Sequence, residues 1–447
     1  MKILLTVHLF FPEHTAGTEV LTLSVARELM SRGHEVRVLT AYPDRKRLMD
    51  NERFDEYDFE GIHVYRFHHA YAPMAGQTSK VELNYDNRLA TSYFTLILEK
   101  FNPQVVHFFH LNRLGTGLID AAVQAGIPAF MTPTDFWTIC ITGQLLLSDG
   151  SICPGPSDYA GNCLKHLLQV TQGGIVGEAA KWLPTGWAEM LLRFTRAGVL
   201  PPYPYRNEVK ALSLRLGVNI ARLNRLSKIV SPSGIITDVL LRHGVLPHLI
   251  VQSAFGIDMT GNRTDVPRQP PRHPFRVGFI GTLADHKGCH VLINAFKALP
   301  QGSAVLKIYG DRGQYPKYAG KLKKLAGNHG AIEFCRTFHH SKIAEVIAGL
   351  DVLVVPSLWY ENTPLVVYSA QAGRCPVVAS DFPGISDVIR DGVNGLLFEA
   401  GNVGALVKQL SRLIDEPDLA AQLSSHCRPP KAIATYVDEL LTVWSAL

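Results

Sequence analysis

The sequence predicts two doubly wound α/β domains in tandem, and three observations carry that prediction. The chain has 447 residues, too many for one ordinary core. Short apolar runs of strand type alternate with amphipathic runs of helix type. One polar, proline-rich stretch, DMTGNRTDVPRQPPRHP at 258–274, interrupts the alternation, which then restarts. Short buried runs joined by helices imply parallel sheets covered on both faces. Ligands of such sheets bind beyond the C-terminal ends of the strands. Two such domains facing one another are expected to frame a central cleft where substrates bind.

Taken in order, KILLTVHLFF is a strand, EVLTLSVARELMSRG an amphipathic helix ending at Gly33, and EVRVLTA a strand. QVVHFFH, GTGLIDAAVQAG and IPAFMTPT follow as strand, helix and strand, and KIVSPS with IITDVLLRHG repeats the pattern. After the polar stretch come FRVGFIG, KGCHVLINAFKAL, AVLKIYG, AIEFCRTF, SKIAEVIAGL, DVLVVPS, PLVVYSAQAG, PVVAS and ALVKQLSRLID, and a short helix, YVDELLTVWSAL. The expected organisation is a first domain at 1–257 with a basic, aromatic-rich insertion at about 151–210, a linker at 258–274, and a second domain at 275–430.

Composition narrows the function classes. Apolar content of 47% and charged content of 19% fit a soluble globular protein, and no apolar run reaches transmembrane length. The N-terminal MKILLTVHLFF is short, β-rich and followed by Pro12 and Glu13, so it is a first buried strand rather than a signal peptide. Seven scattered cysteines do not form a disulfide framework, and a reducing, cytoplasmic location fits. Cys140, Cys153, Cys163 and His166 lack the tight pairs of a structural zinc site, so no metal is expected. The net charge of +5 is uneven: residues 151–230 hold ten Lys/Arg against four Asp/Glu, a net of +6. Such an excess suits an anionic partner: a membrane face, a lipid diphosphate or nucleic acid. No nucleic-acid module is present, which disfavours the last.

The residues with chemistry lie after strands. Lys287, beside Gly288 at a helix start, is either a phosphate contact or a solvated lysine. Glu361 follows DVLVVPS and precedes a helix opened by ENTPL, with Pro364 suited to its first turn. It either accepts hydrogen bonds from ligand hydroxyls or is a carboxylate favoured by the helix dipole. No Walker motif or G-x-G-x-x-G occurs. Paired carboxylates at glycosidase spacing are not evident either.

Together these segments resemble the retaining GT-B glycosyltransferases of family 4. HTAGTEVLTLSVARELMSRGHEVRVLT is similar to that family's glycine loop, helix and following strand; NPQVVHFFH, TPTDFWTIC, GQLLLSDGSICPGP, FGID and GTLADHKG match further segments in order. PSLWYENTPLVVYSAQAGRCPVVASDFPGISDVIRDGVNGLLF follows the family's long C-terminal motif nearly throughout. The resemblance implies transfer of a sugar from a nucleotide-diphosphate sugar to a saccharide or lipid-linked acceptor, with retained configuration and no cofactor. It implies that Lys287 contacts the diphosphate, with Gly281 and Thr282 in the same loop. Glu361 would hold the donor sugar, cradled by Asn362, Thr363, Pro364 and Leu365, and Gly17 would lie against the reacting centre. It further implies that the helix at 431–447 crosses back to the first domain.

Three departures stand out. Ser369 replaces a second glutamate that grips the ribose, Thr282 stands where many members have an arginine, and Thr134 stands where a histidine often precedes Asp135. Arg312 is a substitute cation. His110 is either a substitute for the missing histidine or a buried strand-end residue. These departures keep a catalytically idle, sugar-nucleotide- or glycan-binding assembly subunit in view beside the active transferase; a sugar-nucleotide epimerase is the weaker third reading. In the insertion, Trp187, Met190, Leu191 and Phe194 share one helical face, with Lys181, Arg193 and Arg196 interleaved. The expectation is that this face packs onto the first domain. The alternative is an interfacial helix on anionic lipid, making the protein peripheral at the inner membrane face.

Overall fold

A computed structural model describes residues 1–44, 46, 48–70, 73–171, 174–261, 268 and 271–446. Most of the polar stretch expected to be a linker, at 262–267, 269 and 270, lies outside them. The chain divides into two compact units: Met1–Pro232, Ile236–Ser253 and Val437–Leu447 in one, Ser233–Ile235 and Ala254–Tyr436 in the other. Each is built on its own mainly parallel sheet, the two-domain Rossmann-like architecture.

The first unit holds β1 (Lys2–Val7), β2 (Glu35–Pro43), β3 (Phe54–Phe59), β4 (Ile62–His69), β5 (Val105–Phe108), β6 (Ala129–Met131), β7 (Lys228–Ser231) and β8 (Ile250–Gln252). Their spatial order is β3-β4-β2-β1-β5-β6-β7-β8. β1 is central and pairs with β2 on one side and β5 on the other, Ile3 facing Val36 and Val105. Its residues from Ile3 onward are fully buried, as expected of a strand covered on both faces. The hairpin β3–β4 is an element the alternation does not reveal. It is antiparallel, and its two-residue turn puts Glu60 at φ 51° and Gly61 at φ 79°, the left-handed pair a tight hairpin needs.

The second unit holds β9 (Phe275–Ile280), β10 (Ala304–Tyr309), β11 (Ile332–Cys335), β12 (Val352–Val355), β13 (Val377–Ser380) and β14 (Gly395–Phe398), ordered β11-β10-β9-β12-β13-β14 and all parallel. Alternate residues feed two cores. Val277, Leu306, Val352 and Val354 pack on one face, and Leu353, Val355, Val377 and Ala379 on the other. The order reverses between β9 and β12, as it does between β1 and β5, so each unit has a switch-point crevice at the C-terminal ends of those strands. At the opposite end, Arg276 of β9 grips Asp351 through Nε (2.9 Å), Nη2 (2.6 Å) and its own backbone N–H (2.8 Å). This pair fixes the register of the two strands that carry the site.

One expectation fails. Helix Thr185–Ala197 buries Ala188, Leu192 and Thr195; of the expected face it leaves Trp187, Met190 and Phe194 exposed and Leu191 half-buried. The reason is polar. Glu189 accepts N–H bonds from Tyr159 and Gly161 and a hydroxyl from Ser157, which ties this side of the helix inward. Helix Ile433–Ser445 ends with Trp444, whose indole Nε1 donates to His107 Nδ1 at 3.2 Å within the first unit. Burial pushes His107 down to about 3, so the ring stays an acceptor at neutral pH.

Asp351→Ala removes the buried partner of Arg276. It should destabilise the second unit by ~3 kcal/mol, at the low end for a broken buried pair because Arg276 keeps some solvent. Thermal or urea unfolding checks this.

Candidate active site

The second unit's crevice is assembled by two loops. The loop after β9 carries Gly281, Thr282 and a short turn, Asp285–Lys287, that ends on Gly288 and opens helix Cys289–Lys297. The loop after β12 carries Ser357, Trp359 and Glu361, and leads to helix Leu365–Ala372. Leu358 N–H donates to His286 C=O at 2.8 Å and zips the loops together. Gly288 sits at φ 68°, and a Cβ there would lie 1.8 Å from Pro356 O. Only glycine allows that approach.

Lys287 and Glu361 meet as a result. Lys287 Nζ lies 2.7 Å from Glu361 Oε1 and 3.0 Å from Oε2. Ser357 Oγ (2.6 Å) and Trp359 Nε1 (2.9 Å) also donate to Oε1. Lys287 lies over the Trp359 ring at 5.0 Å, and His286 meets the same ring edge-on. Burial alone would push Glu361 up. The charge of Lys287, with hydrogen bonds from Lys287, Ser357 and Trp359, more than reverses this and holds the carboxyl below its ordinary value. Two readings from the sequence are thereby corrected. Lys287 is not simply solvated, because an ion pair holds it. Glu361 is not held by the helix dipole, because its oxygens face a lysine, a hydroxyl and an indole four residues before the helix begins. Pro364 is also displaced: it precedes the helix as its N-cap and is not in the first turn.

The remaining predicted residues of this unit line the same loops. Gly281 N–H donates to Tyr309 O, and Thr282 O accepts from Ala284 N–H. Asn362 Oδ1 accepts from Ser233 Oγ at 2.7 Å. Thr363 is held in the left-handed region at φ 46°, a costly conformation for a β-branched residue. Its hydroxyl bonds Gly384 O at 2.8 Å, and Gly384 itself has no room for a Cβ against Glu361 O. Leu365 opens the helix; its amide and that of Val366 precede the first helical bond, which Val367 N–H makes to Pro364 O at 2.9 Å. Ser369 donates back to Leu365 O at 3.1 Å. Arg312 is exposed after β10.

The first unit has its own cluster at the β1/β5 crevice. His110, after β5, is almost fully buried; its Nδ1 accepts Asn112 N–H at 3.0 Å, so its Nε2 carries the proton donated to Asp135 Oδ2, also at 3.0 Å. Asp135 Oδ1 accepts Trp137 N–H. Thr18 Oγ1 donates to Thr134 Oγ1 at 3.1 Å, which brings the helix start at Gly17 beside the Thr134–Asp135 turn. His110 is therefore both buried and part of the cluster. Two members were not foreseen: His8, whose ring centroid is 4.1 Å from that of His110, and Glu19, whose Oε1 is 3.7 Å from His8 Nε2. Glu19 Oε2 and His8 Nδ1 are buried and make no hydrogen bond among the described residues. Burial pushes Glu19 up to about 7, against its own amide and the charge of Arg113. A glutamate two residues into a helix carries no sequence signal of burial.

Among the described residues, no group of three or more His, Cys, Asp or Glu is placed to hold a metal ion. Cys140, Cys153 and Cys163 are free thiols.

Comparison with known proteins gives these residues a context. Residues 263–428 match the family of glycosyl transferases group 1, and residues 16–165 match the glycosyl transferase 4-like domain. The D-inositol 3-phosphate glycosyltransferase of Mycolicibacterium smegmatis is 30% identical over 173 residues, covering 38% of this chain and 39% of that one. The alpha-D-kanosaminyltransferase of Streptomyces kanamyceticus is 26% identical over 156 residues, 34% of this chain and 39% of that one. The chain thus spans about two fifths of the length of the curated relatives it matches. Among solved structures, HepE of Anabaena in complex with UDP and glucose is similar over 100% of both chains, with a TM-score of 0.64 and 17% identity. Sucrose-phosphate synthase of Thermosynechococcus elongatus covers 99% of this chain and 98% of its own, with a TM-score of 0.63 and 16% identity. These structural likenesses establish the fold.

Glu19 is raised, so unfolding releases a proton between its ordinary value of 4.5 and about 7. The contribution of Glu19 to the stability of the first unit is therefore lost as pH rises through that window, against the opposite slope of His8, His69 and His107, which burial holds below their ordinary value. Glu19→Gln should remove that contribution alone, so its melting temperature should match the wild type near pH 4 and exceed it increasingly towards pH 8. Melting curves across pH check this.

Proposed function

Because the chain belongs to the group 1 glycosyltransferases of GT-B fold, we propose that it moves a sugar from a nucleotide-diphosphate sugar to an acceptor hydroxyl, retaining the anomeric configuration. The observation that carries this is the meeting of Lys287 and Glu361 at the switch-point crevice of the second unit. As the sugar–phosphate bond breaks, the departing diphosphate gains negative charge. Lys287 and the first amides of helix Leu365–Ala372 supply the compensating positive charge, which makes a metal unnecessary. Glu361 accepts hydrogen bonds from the donor sugar and holds it so that the departing phosphate and the incoming hydroxyl share one face. The acceptor proton passes to the departing phosphate oxygen. On the first unit, His110, oriented by Asp135, positions the acceptor. The acceptor class we favour is a saccharide or lipid-linked saccharide in polysaccharide, lipopolysaccharide or glycolipid assembly, on the cytoplasmic side.

A second reading, an idle sugar-nucleotide-binding or glycan-binding subunit, draws on one observation. The Ser369 hydroxyl is spent on its own helix, so the ribose loses a charged partner.

Calorimetry with UDP-, GDP-, dTDP- and ADP-sugars tests both readings, starting with UDP-glucose because HepE has been solved with it. One donor should bind, and Glu361→Ala should weaken it at least ~10-fold, the scale of one charge-assisted hydrogen bond. A folded protein that binds none of them refutes the donor reading; binding without turnover with any acceptor supports the idle subunit. Ser369→Glu should tighten nucleotide binding by about one to two decades, read in the same titration.

A further inference from the structure

We propose that the outward face of helix Thr185–Ala197, with Trp182 and Tyr205 from the ends of its neighbours, docks the protein on an anionic lipid surface. The helix is turned against its own hydrophobicity. Trp187, Met190 and Phe194 point away from the unit at 73%, 55% and 38% exposure, while Ala188, Leu192 and Thr195 face inward. Trp182 and Tyr205 stand out further, at 86% and 75%. The rotation is fixed from within. Glu189 is consumed by the Tyr159 and Gly161 amides and the Ser157 hydroxyl, and Thr195 is tied to Tyr203. A residue added at Gly161 would strike Glu189, so the two helices are locked. The apolar face cannot roll inward without breaking these bonds.

Charge selects the occupant. Residues 151–230 hold ten Lys/Arg and four Asp/Glu. Two of the four acids are spent internally: Glu189 as above, and Glu208 on the Ser79 hydroxyl and the Lys80 and Val81 amides. A third, Glu178, pairs with Lys181. Five of the ten bases are spent as well: Lys181 on Glu178, Arg222 and Arg225 on Asp86 and Asp120, and Arg215 and Lys228 on backbone carbonyls. The five that remain outnumber Asp158, the fourth acid, which shares a surface pocket with Arg193 and Arg196, so the field presented outward is basic, and Arg193 flanks the apolar face with no ion pair among the described residues. Protruding indole and phenol rings beside cations suit the headgroup layer of a bilayer carrying negative lipids, where rings insert and cations meet phosphates. Among the described residues no helix is long and apolar enough to cross a membrane, so the contact is a lateral one.

The test uses the full chain and vesicles, with no donor present, so it reads separately from sugar transfer. The protein should sediment with mixed phosphatidylcholine–phosphatidylglycerol vesicles roughly tenfold more tightly than with phosphatidylcholine alone, and high salt should weaken it. Trp187→Ser with Met190→Ser should abolish binding, and Arg193→Glu should reduce it several-fold, with melting curves unchanged because all three side chains are exposed. Equal binding by wild type and the double variant would overturn the proposal. So would absence of binding to the phosphatidylglycerol-containing vesicles; a self-association that the double variant disperses would then assign the face to a second copy of the chain.

Discussion

A buried carboxylate meets an ammonium at the ends of two neighbouring strands, and the second unit is organised around that contact. Glu361 has almost no solvent, and an ionised carboxylate so placed is costly without a partner. Lys287 supplies the charge, and Ser357 and Trp359 the remaining donors. The lysine reaches only because Gly288 lets its turn press against Pro356. That turn stays in place because β9 and β12 are held in register by Arg276 and Asp351 at the far end. The chemistry of the crevice thus depends on a backbone approach, and the backbone approach on a strand pairing.

The first unit resolves the same problem differently. Its crevice holds Glu19 beside His8 with no closer partner among the described residues, and the carboxyl answers burial by keeping its proton to about neutral pH. His110 and Asp135 a few ångströms away are fully bonded and fixed. One crevice therefore presents a fixed ion pair, and the other a fixed dyad next to a carboxyl that titrates near neutrality.

Much of this was legible in the sequence. Apolar runs such as VLVV are buried on both faces, as a parallel sheet requires; strand ends pointed to Lys287, Glu361 and His110, and the family resemblance to Asp135. What was not legible depends on partners distant in the chain. Ser357 and Trp359 look like loop residues until Glu361 is seen between them. Glu19 looks like an ordinary first-turn acid until β1 and β5 close over it. The hairpin at 54–69 has polar alternation, FDEYDF, and no long apolar run. The helix at 185–197 misled because its periodicity gives the position of an apolar face but not the polar anchors, Glu189 above all, that decide which way it turns.

If the proposed donor reading holds, the contact between Lys287 and Glu361 has a consequence for selectivity. An ammonium already neutralised by a carboxylate offers a passing phosphate ion little net attraction. An incoming molecule must reward the lysine with negative charge and the glutamate with hydroxyl donors together. Inorganic phosphate brings only the first and a free sugar only the second. On that reading the ion pair would favour ligands that join the two in one molecule, before any contact to a base or a ribose is made.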